Sequence, residues 1–355
     1  MFFINKISFK KLIILISSIV ILIIFSIITI IHLKYNPVFS STSTAMGTYV
    51  TQTVYCKSPE NICSKTMNSI KDLENKISWR IIDSDINKIN SAPENLNIKV
   101  SKETINILEP ALNISTYTHS AFNPAILPLS KLWDFAGPNQ RVPSQNEINE
   151  VLPHLNIDSL KLDKSSGSIL KTDPHTMIDL GAIGKGTACD TAVKIYQENN
   201  ITGGVICVGG SIGIYGTKHT NEPWKIAIRN PFITDDNNSS FAVLNVKSGF
   251  ISTSGAYERN FIYDDKFYHH ILSTSTGYPV ENNIESVTVY ASNGTLSDIL
   301  STACYVLGIE NSKPLLKKFN ATAIFVNKNK SIVASTELKN ILNITDASFF
   351  VSSWV

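Results

Sequence analysis

The sequence predicts an α+β fold: mixed, largely antiparallel sheets with packed helices, preceded by one N-terminal transmembrane helix. Three observations predict it. Helix-like and strand-like segments mix without a regular βαβ period, short strands crowd the second half, and a twenty-residue apolar run stands near the start.

Residues 12–31 are interrupted only by Ser17, Ser18, Ser26 and Thr29. At about 1.5 Å per residue such a helix spans roughly 30 Å, the thickness of a bilayer's hydrocarbon core. Lys6, Lys10 and Lys11 precede it, whereas only His32 and Lys34 follow closely. The positive-inside bias puts the N-terminus in the cytoplasm, which predicts a single-pass protein of the cell (inner) membrane with an extracytoplasmic, periplasmic body. No small-x-small site follows the run closely, so an uncleaved anchor is expected over a signal peptide. The chain then divides into a cytoplasmic stub and anchor at 1–35, a Ser/Thr-rich connector at 36–44, and one body at 45–355.

Within the body, residues 48–55 read as a strand. Met67, Ile70, Leu73 and Ile77 recur at helical spacing and predict a helix over 64–79; Ile105, Leu108 and Leu112 predict another over 102–118. Prolines between 123 and 142 forbid a continuous helix there. A glycine-rich turn leads into a helix at 182–197, which Asn199-Asn200 would end. Short strands follow at 204–208, 224–229, 241–247, 267–272 and 286–291. A helix over 297–307 should stop at Gly308, and strands at 323–326 and 331–334 close the chain.

Charge excludes one class of partner. Four of the 31 basic residues and none of the 29 acidic ones lie in residues 1–35, so the remainder carries 27 against 29. A near-neutral body has no footprint for nucleic acid. The five cysteines are too scattered for a disulfide scaffold. A Cys56–Cys63 bridge stays open, Cys189, Cys207 and Cys304 read as small buried residues, and no Cys/His spacing suggests zinc.

Three segments could carry chemistry. In Asp179-Leu-Gly-Ala-Ile-Gly-Lys-Gly186 the glycines let backbone approach a bound group, Lys185 adds charge, and a following helix N-terminus would favour an anion. The spacing is not that of a Walker A loop, and a capping turn with a solvated lysine is the plain alternative. In Leu296-Ser-Asp-Ile-Leu-Ser-Thr-Ala303, Asp298 and Thr302 are one helical turn apart and could offer oxygen to a hard cation. Alternatively, Asp298 only complements the helix dipole. In His269-His270 the two side chains alternate faces of a strand, so at most one addresses a given site, as an acid/base or as a loop tie. Gly209-Gly210 and Ser252-Thr-Ser-Gly255 are further places where backbone could approach a ligand.

Taken together and in this order, the segments resemble the ApbE family of FAD:protein FMN transferases. The resemblance runs through Ala45-Met-Gly-Thr48, Lys76-Ile-Ser-Trp79, Ser120-Ala-Phe-Asn-Pro124, Leu132-Trp-Asp-Phe135, the Asp179–Gly186 segment with Asp190, and Val208-Gly-Gly210. It continues through Pro223-Trp224, Thr253-Ser-Gly255, His270-Ile-Leu272, Thr276-Gly-Tyr-Pro279 and Ser297-Asp298 to Gly308. It implies an ApbE-like alpha-beta roll that uses magnesium (Mg2+) to move FMN from FAD onto a Thr/Ser hydroxyl of an acceptor protein, releasing AMP. The acceptor is expected to be a membrane redox-complex subunit. By motif position the metal ligands are the Ala182 carbonyl, Asp298 and Thr302. Flavin contacts come from Met46, Trp79, Ala121, Phe122, Asn123, Asp179, Lys185 and Ile271, and Lys185, Asp298 and His270 are the catalytic candidates. Trp79 stands where the family often has tyrosine, Asn123 where it usually has aspartate, and Ser273-Thr274 where it has Asp-Pro. Two other readings share these residues: a magnesium-dependent FAD pyrophosphatase giving FMN and AMP, and a non-catalytic flavin-binding protein at the membrane surface.

Overall fold

The computed structural model describes residues 16–26, 37–135, 137–218, 220, 222–233 and 239–355. Nine strands build the main sheet: β1 (Val38–Ala45), β2 (Thr48–Tyr55), β3 (Gly203–Val208), β4 (Ser211–Gly216), β5 (Gly249–Gly255), β6 (Ile284–Ala291), β7 (Thr322–Asn327), β8 (Ser331–Ala334) and β9 (Phe350–Trp354). Their order across the sheet is their order in the chain, and every neighbouring pair is antiparallel except β8 with β9.

Both faces of this sheet are covered. On one lie α1 (Pro59–Ile77), α2 (Lys102–Tyr117), α3 (Gly184–Glu198) and α4 (Gly294–Lys318). Val50, Val54, Ile206, Val287 and Val289 of the sheet pack there with Ile70, Leu108, Tyr196 and Leu300 of the helices. On the other lies a three-stranded sheet of Trp224–Arg229, Ser240–Val246 and Leu342–Ile344. Trp224, Ile226 and Ile228 point inward from it while Lys225, Ala227 and Arg229 face out, the alternation of a one-sided strand. A smaller aromatic cluster around Trp133 sits under residues 268–278. The α+β expectation, mixed and largely antiparallel, is borne out.

Several expectations need correction or limits. The 36–44 connector is a strand over most of its length, because β1 pairs with β2 from Val38↔Tyr55 to Ala45↔Thr48. Its threonines and serines alternate between exposed and half-buried positions, as suits an edge strand, and that polar alternation looks like linker composition. The helix predicted to stop at Gly308 does break there (φ 78°, ψ 174°) but resumes and runs to Lys318. The strand predicted over 267–272 ends at His269, because Ile271 and Leu272 leave the hairpin to pair with Val280 and Pro279. Residues 16–26 are helical and exposed, while both ends of the predicted 12–31 span lie outside the described residues. Among the described residues no helix is long and apolar enough to cross a membrane. All five cysteines are free, including Cys56 and Cys63.

One crossing positions the rest. α3 and α4 begin side by side, so that a Cβ on Gly186 would fall 2.0 Å from the Gly294 carbonyl oxygen and one on Gly294 2.1 Å from that of Gly186. Asp190, one turn along α3, caps the start of α4. It accepts the Gly294 and Thr295 N–H groups at 2.6 and 2.8 Å and the Thr295 hydroxyl at 2.7 Å. Asn293 accepts the Leu296 N–H at 2.8 Å, so the exposed donors of the helix start are satisfied. Gly294→Ala is expected to cost about 3 kcal/mol or more, because backbone rather than a flexible side chain must move. Urea unfolding checks this, and an unchanged midpoint would show that the two helices slide apart freely.

Candidate functional site

The glycine-rich segment enters α3 as the sequence predicts. Asp179 is tied down by its N–H to the Pro124 carbonyl (2.9 Å), and its Oδ1 accepts the Gly181 N–H at 2.8 Å, an Asx turn that bends the chain into the helix. Burial raises the Asp179 pKa, while the Gly181 N–H and the charges of Arg80, Arg259 and Lys185 pull it back. Lys185 reaches back to the Gly181 carbonyl at 3.3 Å. The β3–β4 turn runs beneath it. Gly209 has φ 55°, and a Cβ there would lie 3.3 Å from Lys185 Cδ, so conformation and space both require glycine.

Across the crossing, Asp298 is 3% exposed. Its Oδ2 accepts the Gly186 N–H at 2.8 Å and its Oδ1 the Ser211 hydroxyl at 3.1 Å. Gly186 is the third residue of α3, so its N–H has no partner within the helix, and Asp298 caps it from across the crossing. The Ala182 carbonyl belongs to the turn just before the Ile183 cap, outside the α3 ladder. Asp298 is not in the first turn, since α4 starts at Gly294 and its cap is Asn293. The dipole role predicted as an alternative for Asp298 therefore belongs to the Asn293 and Asp190 caps. Thr302, one turn on, meets the Ser254 hydroxyl at 3.0 Å.

The oxygen types fit a hard cation. An ionised carboxylate has about four acceptor positions, of which Asp298 uses two; a carbonyl and a hydroxyl complete the set. Burial raises the Asp190 pKa, and the neighbouring Asp298 charge raises it further against the stabilising N–H and hydroxyl bonds. A positive ion at this crossing would relieve both carboxylates. Among the described residues no three His, Cys, Asp or Glu side chains gather as a metal centre, so any such site is built from mixed oxygen donors.

The paired histidines divide as the strand alternation requires. His269, 6% exposed, bonds the Val280 carbonyl through Nε2 at 3.1 Å and packs edge-on against Tyr305. Its place is in the core. His270 turns the other way, with its backbone N–H and its Nδ1 both on the Arg259 carbonyl at 3.1 and 3.2 Å. A carbonyl only accepts, so Nδ1 carries the proton and Nε2 presents a lone pair. Burial drives the His270 pKa down to about 3, helped by the charges of Arg259 and Lys185.

The remaining predicted contacts surround this centre unevenly. Met46 and Gly47 form the two-residue β1–β2 turn with φ 54° and 66°, and the Met46 sulfur lies 3.9 Å from where Gly184 would carry a Cβ. A methionine with positive φ is strained by about 1 kcal/mol, which marks the tip as held for a purpose. Trp79 has Arg80 over its ring at 4.1 Å and Lys131 at 5.2 Å, and its buried Nε1 has no hydrogen-bond partner among the described residues. Ala121 is half-buried, whereas Phe122 and Ile271, at 3% and 5% exposure, belong to the core. Asn123 donates Nδ2 to the Leu155 carbonyl at 2.7 Å and accepts the Ala125 N–H at 2.8 Å. An aspartate could not make the first bond.

The substituted loop is anchored after all. The Ser273 hydroxyl accepts the Ser275 and Thr276 N–H groups at 3.3 and 3.4 Å, Thr274 bonds the Ser120 carbonyl at 2.8 Å, and Trp133 Nε1 holds the Gly277 carbonyl at 2.8 Å. Sequence reasoning missed Ser211, Arg80 and Arg259, and it took Ser252 and Ser254 only as places where backbone could approach a ligand. Ser252 and Ser254 zip β5 to α4 through Ser297 and Ser301, each at 2.8 Å. A signal existed for these serines, which are polar residues recurring on strands that otherwise read as apolar. None existed for the arginines, whose approach is tertiary.

The chain matches known proteins over this region. The sequence profile of the ApbE family covers residues 46–325. An FAD:protein FMN transferase from Klebsiella pneumoniae (strain 342) is 30% identical over 317 residues, covering 89% of this chain and 98% of the relative. One from Treponema pallidum (strain Nichols) is 29% identical over 88% of this chain and 90% of the relative. The crystal structure of an ApbE protein from Thermotoga maritima superposes with TM-score 0.78 at 32% identity, over 86% of this chain and 99% of that one.

The split between the histidines gives a pH signature. Burial lowers the His269 pKa from 6.5 to about 4, so between those values the unfolded chain binds a proton that the folded chain does not. Stability from this residue is present above pH 6.5 and lost as pH falls toward 4. Relative to the wild type, His269→Gln should flatten the pH dependence of urea stability in that window by roughly 2 kcal/mol. Parallel curves for the two proteins would contradict the assignment.

Proposed function

Because this chain belongs to the ApbE family, we propose that Asp298, Thr302 and the Ala182 carbonyl hold the magnesium ion with which it transfers FMN from FAD to a Ser/Thr hydroxyl of an acceptor protein. The reading rests on one contact: Asp298, buried at the crossing, accepts the Gly186 N–H and so sets a carboxylate against the glycine turn that carries Ala182. When bound, the ion would neutralise the diphosphate of FAD and polarise the phosphorus–oxygen bond that breaks.

The chain's own groups do the rest. Lys185, beside the glycine turn, adds positive charge where the pentavalent phosphorus gathers negative charge. The start of α3 itself adds little, because the Gly184 N–H already bonds the Leu180 carbonyl and the Gly186 N–H bonds Asp298. His270 Nε2 takes the hydroxyl proton as the acceptor oxygen bonds to the FMN-side phosphorus, the bond to the AMP oxygen breaks, and AMP leaves. A histidine with a pKa near 3 is a weak base, and the diphosphate's negative charge would raise it toward the working range. Trp79 Nε1 is a buried donor suited to a flavin or adenine acceptor, and Met46, Ala121, Phe122, Asn123 and Ile271 would complete the flavin contacts. The apolar run at 12–31 would anchor the chain in the membrane, with the body outside and a membrane redox-complex subunit as acceptor.

The test is to incubate the full chain with FAD, magnesium and an acceptor, then read flavin fluorescence on a denaturing gel. Fluorescence that stays with the acceptor marks transfer; free FMN and AMP without it would mean that water is the true nucleophile. Asp298→Ala should lower transfer by about 100-fold or more, consistent with losing several kcal/mol of charge stabilisation. Normal activity of that variant in magnesium would refute the metal site. His270→Gln should lower kcat by about 100-fold with FAD affinity kept, and its turnover should no longer fall with acid as the wild type's does. Unchanged kcat would remove His270 from the chemistry.

A further inference from the structure

The strands Asn260–Tyr263 and Lys266–His269 form a two-stranded ribbon joined by Asp264 and Asp265, both with positive φ. Its inner face is accounted for, since Phe261 and Tyr268 pack on Trp133. Its outer face is not. Ile262 and Phe267 are a cross-strand pair, yet they are 72% and 47% exposed. A short ribbon that is apolar on both faces has lost the usual reason for staying in solution unpaired.

The free edge also has room beside it. A groove of about 420 Å³ runs between Lys266–His269 and residues 278–283, with Lys328 at its border. In a two-residue hairpin the closing pair, Tyr263 and Lys266, exchanges both hydrogen bonds, and pairs alternate thereafter. The N–H and C=O of Phe267 therefore face the groove rather than the partner strand. The ion pair of Lys266 with Glu281 (3.3 Å) spans its mouth on side chains more than half exposed, which move aside at little cost. The ribbon also leads into the site: its first strand follows Arg259, and its last residue precedes His270.

We infer that this groove is where the acceptor protein docks, its hydroxyl-bearing segment extended as a third strand beside Lys266–His269 with apolar side chains on Ile262 and Phe267. The inference rests on the transfer reading, which supplies a protein substrate that must reach His270. A second copy of this chain fits less well. A four-residue edge is only about 13 Å long, and two such edges meeting bury far less than the ~1,200 Å² of a stable interface.

The probe is the polypeptide of the source membranes that retains flavin fluorescence through a denaturing gel, purified unflavinylated from cells lacking this chain. Transfer by the full chain is followed against probe concentration for the wild type, Phe267→Ser and Phe267→Pro. Serine removes the apolar contact and keeps the edge N–H; proline removes both without touching a bond inside the ribbon. The acceptor KM should rise about 3-fold for serine and about 10-fold or more for proline, with kcat at saturation and FAD affinity within 2-fold. Unchanged KM in both variants overturns the docking site and leaves the transfer reading standing. Wild-type chain that forms no covalent flavin on the probe overturns both. A concentration-dependent dimer, lost in Phe267→Pro, would assign the edge to a second copy and overturn the acceptor proposal.

Discussion

The structure depends on two helix starts touching through bare backbone. Gly186 and Gly294 leave no room for a side chain between α3 and α4, and only this closeness lets a carboxylate from one helix take a backbone donor from the other. The exchange has two results at once. It buries Asp298 with two satisfied bonds rather than none, which tempers the cost of desolvating a charge. It also caps an N–H of the first turn of α3 that has no partner inside its own helix, and it sets the carboxylate against the turn that carries Ala182. Asp190 fixes the same junction from below by capping α4, so the geometry does not rely on the ligand to form it.

Positive charge bears on two of the site's buried groups. Arg80, Arg259 and Lys185 pull the Asp179 pKa down against its burial, and two of the three also bear on His270. Burial holds His270 neutral, and the charges of Arg259 and Lys185 add to it. Such an excess of positive charge is costly by itself and favourable around a diphosphate, so in the proposed reaction the residues that bind the anion would also tune the base beside it.

Much of this was legible in the sequence where the signal is local. β2, β8 and the strand Trp224–Arg229 fall where short strands were expected, α2 and α3 where apolar spacing and the glycine turn put them, and the order of short motifs points to the family. Asp298 with Thr302 was readable as one helix face, and His269 with His270 as opposite faces of a strand. What was hidden is tertiary. β1 has the composition of a linker and becomes a strand only because β2 lies beside it. Ser211 contributes a hydroxyl to Asp298 from 87 residues away, and the arginines reach Asp179 from two unrelated loops. Ser273 stands where the family usually has aspartate, and its hydroxyl accepts two N–H groups of the loop that follows it.

The central claim is that the crossing creates a cation site on the diphosphate of FAD. Anomalous diffraction from crystals holding FAD and manganese in place of magnesium tests it most directly. The account predicts one peak about 2.1 Å from the Ala182 carbonyl, an Asp298 oxygen and the Thr302 hydroxyl, with diphosphate oxygens completing the shell. A peak elsewhere, or a diphosphate bound away from these three oxygens, would contradict it.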